Sequence, residues 1–293
     1  MDIDALLAAD PITWDSSWTA EDVILYHLGI GAGVPATDPG ELRWTYERDL
    51  VTLPTFGTVI GFMPIHHYAA LPGLDVDLRM LVHGEHRLDL HSPLPTAATS
   101  TSSCRPVAVH DKRQAAAVVF ETTTAVDGAV VATNTMTAYI RGEGGFGGDP
   151  GPTPARIRAP KRPADVEITR PTLEQQALLY RLCGDANPLH VDPEFAAAGG
   201  FERPILHGMC TFGMAAKAVV DQLLDGDAAA VAGFGARFSG VVLPGDALTH
   251  AAWRTDEGIV VESRVADRTV LKQALLTLRS RTGWGGVSRP TGG

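Results

Sequence analysis

The sequence predicts an α+β protein of two similar halves, each a curved antiparallel sheet laid against a helix. Three observations carry that expectation. Residues 141–164, RGEGGFGGDPGPTPARIRAPKRPA, are so dense in glycine, proline and charge that they disfavour both helix and sheet, and they divide the chain nearly in two. The segment ILHGMCTFGMAAKAVVDQLL, 205–224, reads as a long, mostly apolar and therefore buried helix beginning just after Pro204. The chain beyond that helix alternates in short runs like antiparallel strands. Length agrees, since 293 residues is near the size at which one core stops growing.

In the first half, DVILYHLGIG reads as a short helix, and LRMLVHGEHRLDLHSPLP, RPVAVHDKRQAAAVVFETTTAV and AVVATNTMTAYIRG read as strands broken by turns. After the connector comes DVEITRPTLEQQALLYRLCGD: a short strand, Thr172 as a helix cap with Gln175 three residues on, and an amphipathic run to Leu182. PEFAAAGG is a short helix stopped by two glycines. Beyond the long helix lie GFGARFSGVVL, the turn PGD, then ALTHAAWRT, GIVVESRVAD and TVLKQALLTLRS as strands. The boundaries predicted are a domain at 1–150, a linker at 151–164 and a domain at 165–293. A further hint of duplication is the pair PTFGTVIGFM, 54–63, and PILHGMCTFGM, 204–214. Prolines 54, 64 and 72 and glycines 57, 61 and 73 crowd the first copy, so its helix is expected to be shortened or lost. That loss should open space lined by Val59, Ile60, Phe62, Met63, Leu71 and Leu74, unless those side chains collapse on one another.

Composition excludes several classes. With 45% hydrophobic and 20% charged residues the chain can bury a sizeable core, and a net charge of −10 argues against a nucleic-acid surface. The opening MDIDALLAADPITWDSSW lacks the layout of a signal peptide, and no apolar run approaches a membrane span. A soluble, cytoplasmic protein is expected. Cys104, Cys183 and Cys210 are scattered, with no CxxC pair, and read as reduced thiols.

One loop, GDANPLHVDP at 184–193, gathers Asp185, Asn187, His190 and Asp192 between a glycine and a proline. Pro188 bars helix there and Gly184 permits a sharp exit from the preceding helix, so Asp185 and His190 can point at a common water, an arrangement suited to general acid and base work. The alternative is a capping loop in which Asp185 and Asn187 bond backbone amides and His190 is incidental. Gly208 adds a second feature. It falls in the first turn of the long helix, where backbone amides lack partners and a substrate carbonyl could approach closely. Gly208 and Gly213 could equally serve helix packing.

YRLCGDANPLHVDPEFAAAGGFERPILHGMCTFG, 180–213, resembles the signature of the R-specific (type 2) enoyl-CoA hydratases, the MaoC-like dehydratases. ELRWTYERDLVTLPTFG, LVHGEHRLDLHSPLP and IRGEGGFGG resemble the N-terminal part of the hydratase unit in peroxisomal multifunctional enzymes. The resemblance covers nearly the whole chain and implies two hot dog folds, the second catalytic. It implies that Asp185 and His190 are the catalytic pair holding water, that Asn187 is a supporting amide, and that the Gly208 amide binds the thioester oxygen. His83, Gly84, Lys112 and Phe238 fall where the family contacts its acyl-CoA ligand. Two departures are Cys183, where Ser or Thr is commoner, and KRQAA at 112–116, less glycine-rich than the family turn.

Other motifs yield little. LGIGAG, 28–33, has dinucleotide-loop spacing, but a helix-like segment precedes it and Pro35 comes after. The histidines at 66, 67, 83, 86 and 91, with His190 and Asp192, lack metal-ligand spacing on one helix. Glu41 and Asp192 read as structural partners of their neighbours. The expected protein is therefore a hydro-lyase on trans-2-enoyl-CoA and (3R)-3-hydroxyacyl-CoA, with His190 taking a proton from water and Asp185 orienting it and helping to protonate C2, or the reverse. No metal or other cofactor is expected, acyl-CoA is the partner, and a homodimer is the expected assembly. A hot dog thioesterase and a non-catalytic acyl-CoA-binding subunit are the alternatives.

Overall fold

The computed structural model describes residues 1–153 and 157–280, so residues 154–156 of the expected linker and 281–293 of the expected second domain lie outside the described residues. The first half runs α1 (Ile3–Leu7), β1 (Ile12–Trp18), α2 (Ala20–Gly29), α3 (Pro39–Thr45), α4 (Gly57–Ile60), α5 (Ile65–Tyr68), β2 (Leu81–Leu90), β3 (Ala98–Asp111), β4 (Ala115–Val126) and β5 (Ala129–Arg141). The second runs β6 (Val166–Pro171), α6 (Gln176–Tyr180), α7 (Pro193–Ala198), α8 (Gly208–Leu223), β7 (Val231–Phe238), β8 (Ala247–Thr255), β9 (Gly258–Val265) and β10 (Arg268–Leu278).

The two halves do not keep separate sheets. All ten strands form one antiparallel sheet in the order β1-β3-β4-β5-β2-β7-β10-β9-β8-β6, joined where Glu85 to Asp89 of β2 pair with Arg237 to Gly233 of β7. An unpaired strand edge is a standing liability, and pairing β2 with β7 removes one from each half. The core is shared for the same reason: Tyr26, Trp44, Phe56 and Leu88 of the first half pack in one buried cluster with Phe212, Phe234 and Leu276 of the second.

Helix α8 is buried over most of its length, including Lys217. That lysine is held by Glu41 of α3 at 2.9 Å and by Asp221 at 2.6 Å, while the Trp44 indole donates to the other Asp221 oxygen at 3.0 Å. The expected partner role of Glu41 is thus an ion pair that ties α3 to α8.

The helix of the first copy is shortened as expected. A turn at Pro54–Phe56 leads into α4, only four residues long, and the helix stops at Gly61. A side chain there would come within 2.4 Å of the Asn134 amide nitrogen. The space it frees is largely filled. Ile60, Met63, Leu71 and Leu74 are all at most 5% exposed, packed into the cores, while Phe62 lines a cavity that it shares with second-half residues.

The expected Thr172 cap is also corrected. The Thr172 hydroxyl donates to the Asp246 carbonyl across to the neighbouring turn, and α6 begins only at Gln176. Gln176 takes over the local bonding: its Oε1 accepts from the Leu173 amide and its Nε2 donates to the Gly29 carbonyl of α2. A tertiary partner outcompetes the local capping box.

Candidate active site

The chain leaves α6 through a single tight turn at Arg181–Cys183 and reverses at Gly184, whose φ of 120° is in the range that side-chain-bearing residues avoid. Asp185 comes next. Its Oδ1 accepts from the Asn187 amide at 3.2 Å, and Asn187 Oδ1 accepts from the Leu189 amide at 3.0 Å, capping the turn Pro188–His190. Asp192 caps α7 through the Glu194 and Phe195 amides. The capping alternative therefore describes Asp185 and Asn187 correctly, but it accounts for only one oxygen of Asp185 and none of His190.

His190 is 8% exposed, and its Nδ1 lies 2.8 Å from the Ile205 carbonyl. A carbonyl can only accept, so Nδ1 carries the proton and Nε2 keeps a lone pair. Burial acts on the two groups in opposite directions. It raises the Asp185 carboxyl, opposed by His190 and by the Asn187 amide, and it lowers the His190 imidazole, opposed by Asp185 and the Ile205 carbonyl. Both effects favour the uncharged pair. Their donor atoms lie within 4.8 Å of one another, close enough to act on one bound molecule.

Helix α8 starts at Gly208, and no side chain caps it. The His207 carbonyl accepts from the Cys210 and Thr211 amides, at 3.1 and 3.3 Å, and so points along the helix. In a trans peptide the next N–H points the opposite way, so the Gly208 amide is aimed out of the helix end. A Cβ on Gly208 would meet the Phe238 ring at 3.2 Å. The glycine lets that ring lie against the backbone.

These groups share one cavity of about 600 Å³. Asp185, Asn187, His190, Gly208 and Phe238 line it from the second half, and His83 and Gly84 line it from the first. His83 meets Phe238 edge to face at 5.1 Å. Lys112 is not brought to the cavity: it stands beside the β3–β4 turn, where its ammonium donates to the Pro150 carbonyl. Arg141 and Arg237 line the cavity instead.

Residues 156–274 match the MaoC like domain family, and residues 16–142 match the MFE-2 hydratase 2 N-terminal domain family. Enoyl-CoA hydratase ChsH3 of Mycobacterium tuberculosis is 46% identical over 263 residues, which is 89% of this chain and 92% of that protein. The chain belongs to the MaoC-like hydratase family. Peroxisomal enoyl-CoA hydratase 2 of Arabidopsis thaliana is 35% identical over 268 residues, 86% of this chain and 87% of its own. The crystal structure of a MaoC-like dehydratase from Phytophthora capsici matches with a TM-score of 0.85 at 26% identity, covering 96% of this chain and 99% of that one. The expected hot dog architecture is present, with both units fused into one sheet.

Within this MaoC-like site the sequence reading missed His207, Arg141, Arg237 and Tyr139. His207 had a visible signal, standing directly before Gly208 in the segment that begins the long helix. The arginines had none, because a charge at the end of a strand looks like ordinary solvated surface. Another unforeseen feature supports His83. The Asn134 amide nitrogen donates to the Gly57 carbonyl, so its oxygen accepts from His86 Nε2 at 2.9 Å, and His86 Nδ1 is left to accept from His83 Nε2 at 3.2 Å. The chain of bonds fixes the His83 ring at the cavity wall.

Asp185, His190 and His207 each offer a donor atom within 4.8 Å of the others, a distance compatible with a metal ion. The ring geometry does not suit one. His190 and His207 are stacked, centroids 3.6 Å apart and planes 28° from parallel, so their in-plane lone pairs run side by side instead of converging on one tetrahedral centre.

Proposed function

We propose that the protein is a hydro-lyase that adds water to trans-2-enoyl-CoA to form (3R)-3-hydroxyacyl-CoA, and catalyses the reverse dehydration. The observation that carries this reading is the placing of Asp185 and His190, with donor atoms within 4.8 Å of one another and burial biasing both toward their uncharged forms, in a cavity beside a helix N-terminus that no side chain caps. In the hydration direction His190 Nε2 takes a proton from water as the water oxygen bonds to C3. The C2–C3 electron pair moves toward the thioester, and the enolate-like oxygen is held by the Gly208 N–H, a contact worth about 3–4 kcal/mol when one such donor is lost elsewhere. Asp185, which burial biases toward the acid form, gives its proton to C2, and the proton on His190 then returns to Asp185. Every proton is accounted for without a metal or redox cofactor. CoA enters as part of the substrate.

The cavity supports medium, long or bulky acyl groups. Phe62, Tyr68 and Met136 extend its wall into the first half, and each buried methylene contributes about 0.8 kcal/mol at most, so specificity should rise with chain length until the wall is reached. The same reading includes a homodimer. Leu173, Leu178 and Leu182, on and beside α6, are 45%, 55% and 61% exposed, apolar surface that a second copy could cover.

The test is loss of enoyl absorbance with crotonyl-CoA and longer enoyl-CoAs, with the product passed to R- and S-specific dehydrogenases. Hydration giving the R alcohol is expected. Release of free CoA without hydration would assign a thioesterase, tight binding without turnover would assign a binding subunit, and predominant S product would overturn the stereochemical assignment.

A further inference from the structure

His207 is 1% exposed and makes three contacts that together touch every part of the proposed machinery. Its Nε2 lies 3.1 Å from the Asp185 main-chain carbonyl, which can only accept, so Nε2 carries the proton. Its ring is stacked on His190 at 3.6 Å, with Tyr180 against it at 4.9 Å. Its own carbonyl, by accepting from the Cys210 and Thr211 amides, sets the peptide plane that aims the Gly208 N–H.

We infer that His207 is a positioning residue, which holds the Asp185 backbone with one ring nitrogen and covers the His190 ring with its face, so that acid, base and oxyanion donor keep one fixed relation. The inference rests on the hydratase reading and deepens it. Nothing in the side chain touches the cavity, so His207 acts only through its neighbours. It must stay neutral to do so, because a second cation stacked on protonated His190 would oppose the reaction. Burial secures this, pushing its imidazole down to about 2, and His190 pushes the same way. The ionisable groups around it are Asp185 and His190 on the loop, Tyr180 on α6 and Arg181 just after it. Nδ1 is buried without a hydrogen-bond partner among the described residues. A core histidine kept only to fill space would gain by having that nitrogen replaced with carbon.

The two functions of the ring can be separated by substitution. His207→Phe keeps a flat ring over His190 and loses the donor to Asp185, whereas His207→Gln keeps an N–H donor and removes the ring. Turnover of an enoyl-CoA is measured for both, together with kcat, KM and the pH dependence of kcat/KM. Both variants should lose about tenfold or more in kcat with KM changed by less than about threefold, the signature of misplaced reacting groups. His207→Gln alone should move the acid limb upward, toward the ordinary imidazole value of 6.5, because His190 loses its cover. Folded variants that retain kcat, or that raise KM with kcat unchanged, overturn the inference. A second measurement needs no variant. In the wild-type protein, nitrogen NMR should show His207 protonated only at Nε2 and His190 only at Nδ1, with His207 not titrating between about pH 8 and 5. A His207 that takes up a proton in that range, or the opposite tautomer, overturns it too. A wild type that does not hydrate enoyl-CoA would sink the hydratase reading instead, and the NMR result would still test the geometry.

Discussion

Replacing Asp185 with Asn separates what the carboxyl does for chemistry from what it costs the fold. Asn has the same shape, and its Oδ1 can keep the 3.2 Å bond from the Asn187 amide, so the turn should survive. The second oxygen is lost as a carrier of protons. Loss of one positioned acid or base lowers turnover by about 10²- to 10⁴-fold, or roughly 2.7–5.5 kcal/mol of transition-state stabilisation. Stability should move the other way. Burial raises the Asp185 carboxyl above its ordinary 3.8, so its contribution to stability is fully present below that value and is lost as pH rises through the raised one. The Asn variant carries no such loss, and its advantage over the wild type should therefore be absent at low pH and present at neutral pH. The assay pairs enoyl-CoA turnover with urea unfolding at two pH values that bracket the shift. Turnover within about tenfold of wild type would refute the acid–base assignment, and a variant less stable than wild type at neutral pH would refute the claim that burial disfavours the carboxylate.

Three further outcomes are expected. His190 is held below 6.5, so the acid limb of kcat/KM should lie below that value and vanish in His190→Gln along with most of the activity; a limb above 6.5 would contradict the burial argument. Gly84→Ala would place a Cβ 2.2 Å from the Tyr139 ring, costing about 1–3 kcal/mol by overpacking, and should raise KM as that ring is pushed along the cavity wall. Lys217→Met leaves Glu41 buried without its partner and should cost about 3–5 kcal/mol in urea unfolding, with kcat of the folded fraction unchanged.

The loop at 184–193 was legible because its geometry is local. Gly184 and Pro188 set the bends, and each cap acts on amides two or three residues on, so the sequence of the loop carries its own geometry. The capping of α6 was not legible, because Thr172 and Gln176 are satisfied by Asp246 and Gly29, partners 74 and 147 residues away. The same holds for the joined sheet: nothing in the alternation of LVHGEHRLDL or VAGFGARF says that they pair with each other. His207 lies between these cases. Its neighbour Gly208 was identified, yet nothing in the sequence says which way the histidine before it points, and the fold turns it inward onto His190.

The unequal helices explain why the halves divide the work. Helix α8 has 16 residues and an open N-terminus, whereas α4 has four and ends at Gly61, where the Asn134 side chain presses against the backbone. That close approach is what the lost helix permits. Asn134, bonded to the Gly57 carbonyl, orients His86, and His86 orients His83 at the cavity facing Phe238. Neither Gly57 nor Gly61 could carry a side chain where it stands, since a Cβ would meet Leu88 at 3.0 Å and Asn134 at 2.4 Å. The first half thus has a short helix and supplies His83 and Gly84 to the wall of the shared cavity. Cutting the chain at the linker would strip β7 of its pairing with β2, remove His83 and Gly84 from the cavity, and leave Lys217 without Glu41.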